Sequence, residues 1–165
     1  MKISILGGSG FLGTNLSKAL FQENISFNIF DIQKSKFFPE KTTIGSICSL
    51  EDLKKISDSN ILINLAAVHR DDVSPKSLYD EINVNGSKNV CEYAKENNIN
   101  HIIFTSSVAI YGFAEPDTDE DGEINYFNDY GRTKYLAEQE YINWYSESEC
   151  ENDNQTTNLN RWNSL

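Results

Sequence analysis

The sequence predicts an α/β protein built on a doubly wound parallel sheet of about five strands. Three observations support this fold class. Short apolar runs typical of buried parallel strands recur along the first two thirds of the chain. Stretches with apolar residues at helical spacing separate these runs. A glycine-rich turn, Gly7-Gly8-Ser9-Gly10-Phe11-Leu12-Gly13, joins the first run to the first helical stretch.

The first strand and the glycine-rich turn predict a binding site for the pyrophosphate of a nucleotide cofactor. Ile3, Ile5 and Leu6 form an apolar run, and the turn follows at once. Its first glycine allows the sharp turn, its middle one lets a pyrophosphate approach the backbone, and its last lets the helix pack closely. N–H groups at the helix N-terminus would bind the pyrophosphate. Two registers fit, G-x-x-G-x-x-G from Gly7 and G-x-G-x-x-G from Gly8, so the glycines alone leave the cofactor subfamily open.

Length, charge and cysteine content exclude several classes of protein. The chain has 165 residues, enough for one domain with a core, and a net charge of −11, which argues against nucleic acid or an anionic membrane as partner. The N-terminus has neither the pattern of a signal peptide nor that of a transmembrane span, so we expect a cytoplasmic protein. Cys48, Cys91 and Cys150 lie far apart, which predicts neither a disulfide framework nor a metal site.

Residues 26–31 are predicted to form the second strand, and they end in a carboxylate. Asp31 lies eighteen positions after Gly13, where a dinucleotide-binding fold places the end of this strand. A carboxylate there accepts hydrogen bonds from the adenosine ribose and repels a 2′-phosphate, which favours NAD over NADP. Lys34 and Lys36 nearby keep NADP as the less favoured alternative.

The third and fourth strands follow with a short helix between them. Residues 42–47 predict the third strand, and Ser49 with Asp52 predicts a capping box at the start of the helix. Residues 60–67 predict the fourth strand, whose near-continuous apolar sequence is typical of a strand covered on both faces. Small residues at its end would let a flat cofactor lie close. His69, in the next loop, is interpreted as a solvated side chain, with a catalytic role as the alternative.

Residues 74–97 predict a long helix that contains unusual residues. Ser74 is its predicted N-cap, followed by a proline in the first turn. Asn83, Asn85 and Gly86 are poor choices for a helix interior. We therefore expect either a bend at this point or a buried polar side chain with a task.

The last predicted elements are a fifth strand and a helix that carries a tyrosine and a lysine. Residues 101–107 are apolar at first and hydroxylic at the carboxyl end, which faces the ligand in open α/β sheets. The acidic segment 115–129 is interpreted as an exposed loop rather than a metal site. Tyr130 and Lys134 follow it, four positions apart, and so share one face of the predicted helix.

Five stretches of this chain occur in a characteristic order and spacing: the glycine-rich turn, Asn-Leu-Ala-Ala at 64–67, Asn-Val-Asn-Gly at 83–86, Ser-Ser-Val-Ala-Ile-Tyr-Gly at 106–112, and Tyr-Gly-Arg-Thr-Lys at 130–134. A lone Tyr-x-x-x-Lys is a weak signal, whereas all five in register are a strong one. With them, residues 1 to about 145 resemble the extended short-chain dehydrogenase/reductases, in particular their NAD-dependent epimerase/dehydratase branch. The resemblance implies a Rossmann-like fold with strand order 3-2-1-4-5, NAD as cofactor and a nucleotide-sugar substrate.

The resemblance also implies roles for individual residues. Tyr130 would be the general base, and Ser107 would hydrogen-bond the same substrate oxygen. Lys134 would favour the phenolate form of the tyrosine and hold the nicotinamide ribose. Asn83 would have the family's structural and proton-relay part. The implied cofactor-binding residues are Gly7, Gly10, Phe11, Leu12, Gly13, Asp31, Ser46, Ile47, Leu65, Ala66, Ala67, Tyr130 and Lys134.

The chain departs from the family pattern in two places. Ser46 stands where the family commonly has an aspartate that contacts adenine, so adenine affinity is expected to be lower. The family's enzymes hold the substrate mainly with a carboxyl-terminal lobe, whereas a polar, asparagine-rich stretch follows residue 145. We therefore expect residues 1–145 to form an incomplete NAD-binding domain without its substrate lobe, and residues 146–165 to form a disordered tail. The fifth strand would be an open edge that invites homodimer or edge-strand association.

Three functional hypotheses follow from these features. The chain is the amino-terminal portion of a nucleotide-sugar epimerase or dehydratase, or a non-catalytic NAD-binding module, or a degenerate truncated product. Ser107, Tyr130 and Lys134 indicate that the chain descends from an enzyme of the first kind. The missing lobe favours the second or third hypothesis for the present activity of the chain. We expect the chain alone to lack turnover. Its particular sugar and its reaction type, whether epimerase, dehydratase or reductase, stay open.

Overall fold

Five parallel strands form the centre of the protein. A computed structural model describes residues 2–70 and 72–152, with side chains through residue 148. The strands are β1 (Ile3–Leu6), β2 (Phe27–Asp31), β3 (Thr42–Ile44), β4 (Ile61–Asn64) and β5 (His101–Phe104). They pair in parallel in the order β3-β2-β1-β4-β5, which confirms the predicted fold class and strand order.

Helices make the connections that parallel pairing requires. Their bounds are α1 (Phe11–Gln22), α2 (Leu50–Leu53), α3 (Ser77–Tyr79), a π-helical turn (Asp80–Asn85), α4 (Gly86–Glu96) and α5 (Asp129–Asn152). Short 3-10 turns lie at Pro39–Lys41 and Val108–Ile110. The segment from α3 to α4 runs without a break between β4 and β5.

Two apolar clusters cover the two faces of the sheet. Successive side chains of a strand point to opposite faces, so Ile5 and Leu6 of β1 enter different clusters. Ile5 packs with Leu20 of α1, and Leu6 packs with Val90 of α4 and Tyr141 of α5. β1 is buried along its whole length. The central strand therefore depends on burial on both faces, as its continuous apolar sequence predicts.

Three strands end earlier than predicted at their carboxyl ends. β3 ends at Ile44, β4 at Asn64 and β5 at Phe104, whereas residues 42–47, 60–67 and 101–107 were expected. One ladder-type bond continues past β3 and one past β4, from the Gly45 N–H to the Asp31 carbonyl at 3.0 Å and from the Leu65 N–H to the Leu6 carbonyl at 2.9 Å. After β5 only a marginal bond remains, from the Thr105 N–H to the Asn64 carbonyl at 3.5 Å. The chain then turns into the 3-10 turn that Ser107 caps.

The predicted helix over residues 74–97 is irregular, and the expected buried polar side chain is present, whereas a bend stays a prediction. A π-helical turn interrupts it, and Asn83 within that turn is only 3% exposed. Ser74 is not the N-cap, which is a correction. The first helical bonds, from Leu78 N–H to the Pro75 carbonyl and from Tyr79 N–H to the Lys76 carbonyl, place the start of α3 at Ser77.

The capping box predicted for α2 is half correct. The Ser49 hydroxyl accepts a hydrogen bond from the Asp52 N–H at 3.2 Å, as an N-cap does. The Asp52 carboxylate does not complete the box, because its Oδ2 accepts from the N–H of Ser46 at 3.0 Å instead. The short aspartate thus fixes the loop after β3.

The last helix corrects the predicted start of the tail. α5 continues through Asn152, although residues from 146 onward were expected to be disordered. The hydroxyls of Ser146 and Ser148 donate to helix carbonyls at 2.9 and 2.7 Å, and Glu147 lies 3.8 Å from Lys95 of α4. These bonds use polar side chains within the helix. Residues 153–165 lie outside the described part of the chain, so the tail prediction stays open there.

β5 lies at the edge of the sheet. Within the described residues it pairs with β4 alone, and Ile103 is 46% exposed. An edge was expected here, whereas association through it stays a prediction. Among the described helices, none is long and apolar enough to cross a lipid bilayer.

Two buried helical serines allow a test of the packing. The Ser17 hydroxyl meets no hydrogen-bond partner among the described residues, whereas the Ser87 hydroxyl donates to the Asn83 carbonyl at 2.7 Å. Ser17→Ala removes an unsatisfied group and improves helix propensity, so we expect the free energy of unfolding to rise by about 0.5–1.5 kcal/mol. Ser87→Ala, the matched control, should lower it by a similar amount. Urea denaturation measures both, and a destabilised Ser17→Ala variant would contradict the packing described.

Candidate active site

A cleft of about 730 Å³ lies at the carboxyl ends of β1, β2, β4 and β5. All the residues predicted to bind the cofactor line it: Gly7, Gly10, Phe11, Leu12, Gly13, Asp31, Ser46, Ile47, Leu65, Ala66, Ala67, Tyr130 and Lys134. They come from segments spread over most of the chain, and the sheet brings them together because its parallel strands end at one edge. Their contact with a cofactor stays a prediction.

The glycine-rich turn has the close approaches that its sequence predicts. Gly7 has a φ of +74°, and a Cβ there would lie 2.6 Å from the Ala66 nitrogen. A Cβ on Gly13 would lie 2.4 Å from the Gly8 Cα, so the helix could not pack against the turn with a larger residue. Gly10 is the N-cap of α1 and supplies no side-chain cap. The first-turn N–H groups of α1 are thus suited to an anion.

Asp31 ties the glycine-rich turn to the end of β2. The carboxylate is only 8% exposed; its Oδ2 accepts from the Ser9 N–H at 2.9 Å and its Oδ1 from the Gln33 N–H at 3.1 Å. A carboxylate can accept about four hydrogen bonds, so these two leave capacity for ribose hydroxyls. Lys34 and Lys36 are exposed and are not among the lining residues.

The β3–α2 loop forms the cleft wall beside Asp31. The Ser46 hydroxyl accepts from the Cys48 N–H at 3.2 Å, and the Ser46 N–H donates to Asp52. Ile47 is buried next to it. The Ser46 hydroxyl keeps its proton free to donate, while the loop around it is held by backbone bonds.

A buried amide at the end of β4 has contacts that were not predicted from the sequence. Asn64 donates from Nδ2 to the Tyr141 hydroxyl at 2.6 Å, and its Oδ1 accepts from the Ala66 N–H at 3.0 Å. Burial of the Tyr141 phenol raises its pKa above the ordinary value, so it stays neutral. This bond joins β4 to α5 and fixes the small Ala66 backbone against Gly7. Its partners are 77 residues apart, and no local pattern marks them.

Asn83 connects two walls of the site without lining the cleft itself. Its Oδ1 accepts from the Val68 N–H at 2.8 Å, and its Nδ2 donates to the Val68 carbonyl at 3.0 Å and the Thr133 hydroxyl at 2.9 Å. Val68 belongs to the loop after β4, and Thr133 lies between the candidate catalytic residues of α5. The amide thereby holds the loop and α5 together.

Lys134 is a buried cation at the cleft. It is 3% exposed, its Nζ donates to the Thr105 carbonyl, and Nζ lies 3.9 Å from the centre of the Phe104 ring. Burial lowers the pKa of this ammonium to about 8, and the nearby Glu138 carboxylate partly offsets that effect. Tyr130 lines the same cleft one helical turn earlier.

The segment after β5 approaches the first turn of α5 closely. A Cβ on Gly131 would lie 2.3 Å from the Ala109 carbonyl oxygen, so only glycine fits there without displacing the backbone. Thr105 and Ser106 line the cleft, but Ser107 does not; its hydroxyl accepts from the Ala109 N–H at 3.2 Å. Ser107 is the residue that the resemblance implies, and its role stays a prediction; its two neighbours in the same hydroxylic run are the ones that line the cleft. His69 is exposed and lines the cleft.

The fold and the cleft together define a dinucleotide-type α/β domain. Residues 3–151 match the NAD dependent epimerase/dehydratase family, and the chain belongs to that family. It is 40% identical over 152 residues to an N-acetyl-alpha-D-glucosaminyl-diphospho-ditrans,octacis-undecaprenol 4-epimerase of Escherichia coli O157:H7, covering 90% of this chain and 45% of that protein. It is 32% identical over 157 residues to a putative UDP-glucose 4-epimerase of Methanocaldococcus jannaschii, covering 87% and 50%.

A solved structure supports the fold. The UDP-glucose 4-epimerase of Thermus thermophilus, in complex with NAD, superposes with a TM-score of 0.80 at 21% identity, covering 90% of this chain and 51% of that one. The chain thus spans about half the length of these relatives.

The burial of Lys134 has a consequence for stability. The pKa of Lys134 in the folded protein is about 8, below the ordinary value of 10.5. Burial of the charge therefore destabilises the fold by its full amount below pH 8, by progressively less between pH 8 and 10.5, and not at all above pH 10.5. Lys134→Met fills the same space without a charge. We expect it to raise the free energy of unfolding at pH 7 by about 1–3 kcal/mol, and this advantage to shrink as pH rises toward 10.

Urea denaturation at pH 7 and pH 9.5 measures this effect. Lys88→Met is the control, because Lys88 is an exposed helical lysine for which the same change should have little effect at either pH. A Lys134→Met protein that is less stable than the parent at pH 7 would show that the ammonium stabilises the fold.

Proposed function

We propose that this chain forms the NAD(H)-binding portion of an enzyme that oxidises and reduces a hydroxyl carbon of a diphosphate-linked sugar, with 4-epimerisation as the reaction. One observation carries the proposal. A single cleft brings together the glycine-rich turn, Asp31 at the end of β2, and Tyr130 with Lys134 on α5. These groups match in order the pyrophosphate, the adenosine ribose and the reacting end of a nicotinamide dinucleotide.

The residues of the cleft fit such a cofactor. The uncapped N-terminus of α1 would bind the pyrophosphate, and Asp31 would accept from the adenosine ribose. The small backbone at Ala66 and Ala67 leaves room for a flat ring system. Ser46 would donate to the adenine in place of an aspartate. Lys134 would donate to the nicotinamide ribose, because the Thr105 carbonyl occupies only one of its three donors.

The chain's own side chains would then move one proton. NAD⁺ supplies the hydride acceptor when bound. Tyr130 would take the proton of the substrate hydroxyl, and the Lys134 ammonium one helical turn away would stabilise the resulting negative charge on the phenol oxygen. The Ser107 hydroxyl would donate to the same substrate oxygen, since its bond from Ala109 uses it only as an acceptor. Asn83 would act through Thr133, holding the turn between the tyrosine and the lysine.

The substrate class follows from what the relatives' names share. One is named for a UDP-sugar, and one for a sugar joined through a diphosphate to undecaprenol. In both names a hexose is joined to a diphosphate, and we propose a nucleotide-linked sugar as the substrate. A sugar linked through the diphosphate to a lipid is the second candidate, because this chain is 40% identical to the relative named for such a compound. A non-catalytic NAD-binding module is the alternative function, because the cofactor cleft alone would serve it.

The cofactor choice is testable at Asp31. We expect NADH to bind more tightly than NADPH, and Asp31→Asn to reduce that preference by about tenfold, because the charge that repels a 2′-phosphate is lost. Fluorescence titration measures both ligands. Asp58→Asn, an exposed carboxylate at the amino end of the strands, is the control and should leave the preference unchanged. Tighter NADPH binding by the unmutated chain would overturn the assignment to NAD.

The role of Tyr130 needs a separate measurement. In an assay with NAD⁺ and UDP-N-acetylglucosamine, on this chain joined to a carboxyl-terminal substrate lobe, we expect Tyr130→Phe to lower turnover at least about a hundredfold while NADH affinity changes little. The control is Tyr126→Phe, a neighbouring tyrosine outside the cleft lining. Near-normal turnover of the lobe-restored Tyr130→Phe variant would overturn the role of Tyr130, no turnover of the lobe-restored parent would favour the binding module, and failure of the chain to bind NADH would contradict the proposal.

A further inference from the structure

Asp80 and Arg132 form a two-pronged ion pair behind the candidate active site. The Arg132 guanidinium donates through Nη1 to Asp80 Oδ1 at 2.8 Å and through Nη2 to Asp80 Oδ2 at 2.7 Å. It also donates to Asp129 Oδ1 at 3.3–3.4 Å. Asp80 is the first residue of the π-helical turn, and Arg132 lies in the first turn of α5, 52 residues away in sequence. The pair fixes these two elements to each other.

Arg132 lies on the back of the helical turn that carries the candidate catalytic residues. At 3.6 residues per turn, Arg132 is rotated about 200° from Tyr130 around the helix axis, and Lys134 only about 40°. The guanidinium therefore holds the helix from the side opposite the cleft. The next residue, Thr133, is fully buried and accepts from the Asn83 amide of the same π-helical turn. Two consecutive residues of α5 thus bind one turn.

The ion pair fixes the relative position of the two elements and adds little to the stability of the fold. The Asp80 side chain is 47% exposed and that of Arg132 29%, and partly exposed ion pairs add little to stability. A planar guanidinium that meets a carboxylate with two parallel bonds nevertheless fixes distance and orientation together. The bond also holds the pKa of the Asp80 carboxyl below its usual range, so it persists at neutral pH. Neither residue of the pair is among those that line the cleft.

We propose that Asp80 and Arg132 are positioning residues that set the height and rotation of the first turn of α5, and so place Tyr130 and Lys134 against the nicotinamide half of the cofactor. The inference rests on the proposed function. It extends that function to two residues outside the cleft lining. ADP, which lacks both the nicotinamide and its ribose, contacts only the other end of the cleft and should not depend on the pair.

The test compares NADH with ADP. Asp80→Asn keeps the size of the side chain but removes the charge and one of the two acceptors, and Asp80→Glu restores a carboxylate. In calorimetric titrations we expect Asp80→Asn to weaken NADH binding about three- to thirtyfold, ADP binding to change less than about twofold, and Asp80→Glu to recover most of the NADH affinity. Lys88→Met is the control, because the Lys88–Glu140 pair, at 3.7 Å, joins α4 and α5 about two turns farther along.

A second measurement needs no cofactor. Amide hydrogen exchange of residues 130–134 should accelerate in Asp80→Asn, while exchange of α4 stays unchanged. Unchanged NADH affinity, an equal loss for NADH and ADP, or unchanged exchange at 130–134 would each overturn the positioning role. An unmutated chain that binds neither ligand would instead contradict the proposed function, and the exchange measurement would still report whether the pair orders the turn.

Discussion

The buried amide of Asn83 is the contact on which the arrangement of the site depends. Its three hydrogen bonds reach the loop after β4 and the first turn of α5, two segments separated by more than sixty residues. Asn83 lies in the π-helical turn between α3 and α4, and such turns occur frequently at functional sites. An unsatisfied amide here would cost about 1–3 kcal/mol, so the two segments are held as one unit. Every group proposed for chemistry lies on one of them or beside them.

A second polar contact fixes the sheet against α5. The bond between Asn64 and Tyr141 lies among apolar side chains of the core, where an exchange for water is not available. Together with the Asn83 contacts, it positions α5 along its length rather than at one end. The ammonium of Lys134 can then remain buried, because α5 holds it against the Thr105 carbonyl and the Phe104 ring. The buried ammonium of Lys134 destabilises the fold, but it lies where a positive charge serves the proposed function. Functional sites commonly contain such destabilising groups.

The sequence predicts the strands, their order and the lining of the cleft, but not the contacts that hold the cleft together. Apolar runs and the glycine-rich turn are local patterns, and parallel strands bring their carboxyl ends to one edge whatever the details of packing. Tyr141 as the partner of Asn64, Thr133 as that of Asn83 and Arg132 as that of Asp80 lie 50 or more residues away along the chain, and only the tertiary register pairs them. The helical residues 146–152 were missed because their polar composition predicts disorder, whereas α5 continues through them and the hydroxyls of Ser146 and Ser148 donate to its carbonyls.

The central claim is that one cleft holds a nicotinamide dinucleotide in a single direction, with the adenosine at Asp31 and the nicotinamide at Tyr130 and Lys134. A crystal structure of the chain grown with NADH tests this most directly. We expect electron density for the whole cofactor, with the adenosine ribose within hydrogen-bond distance of Asp31 and the nicotinamide ribose within hydrogen-bond distance of Lys134. A cofactor bound in the reverse direction, or bound away from the carboxyl ends of the strands, would contradict it.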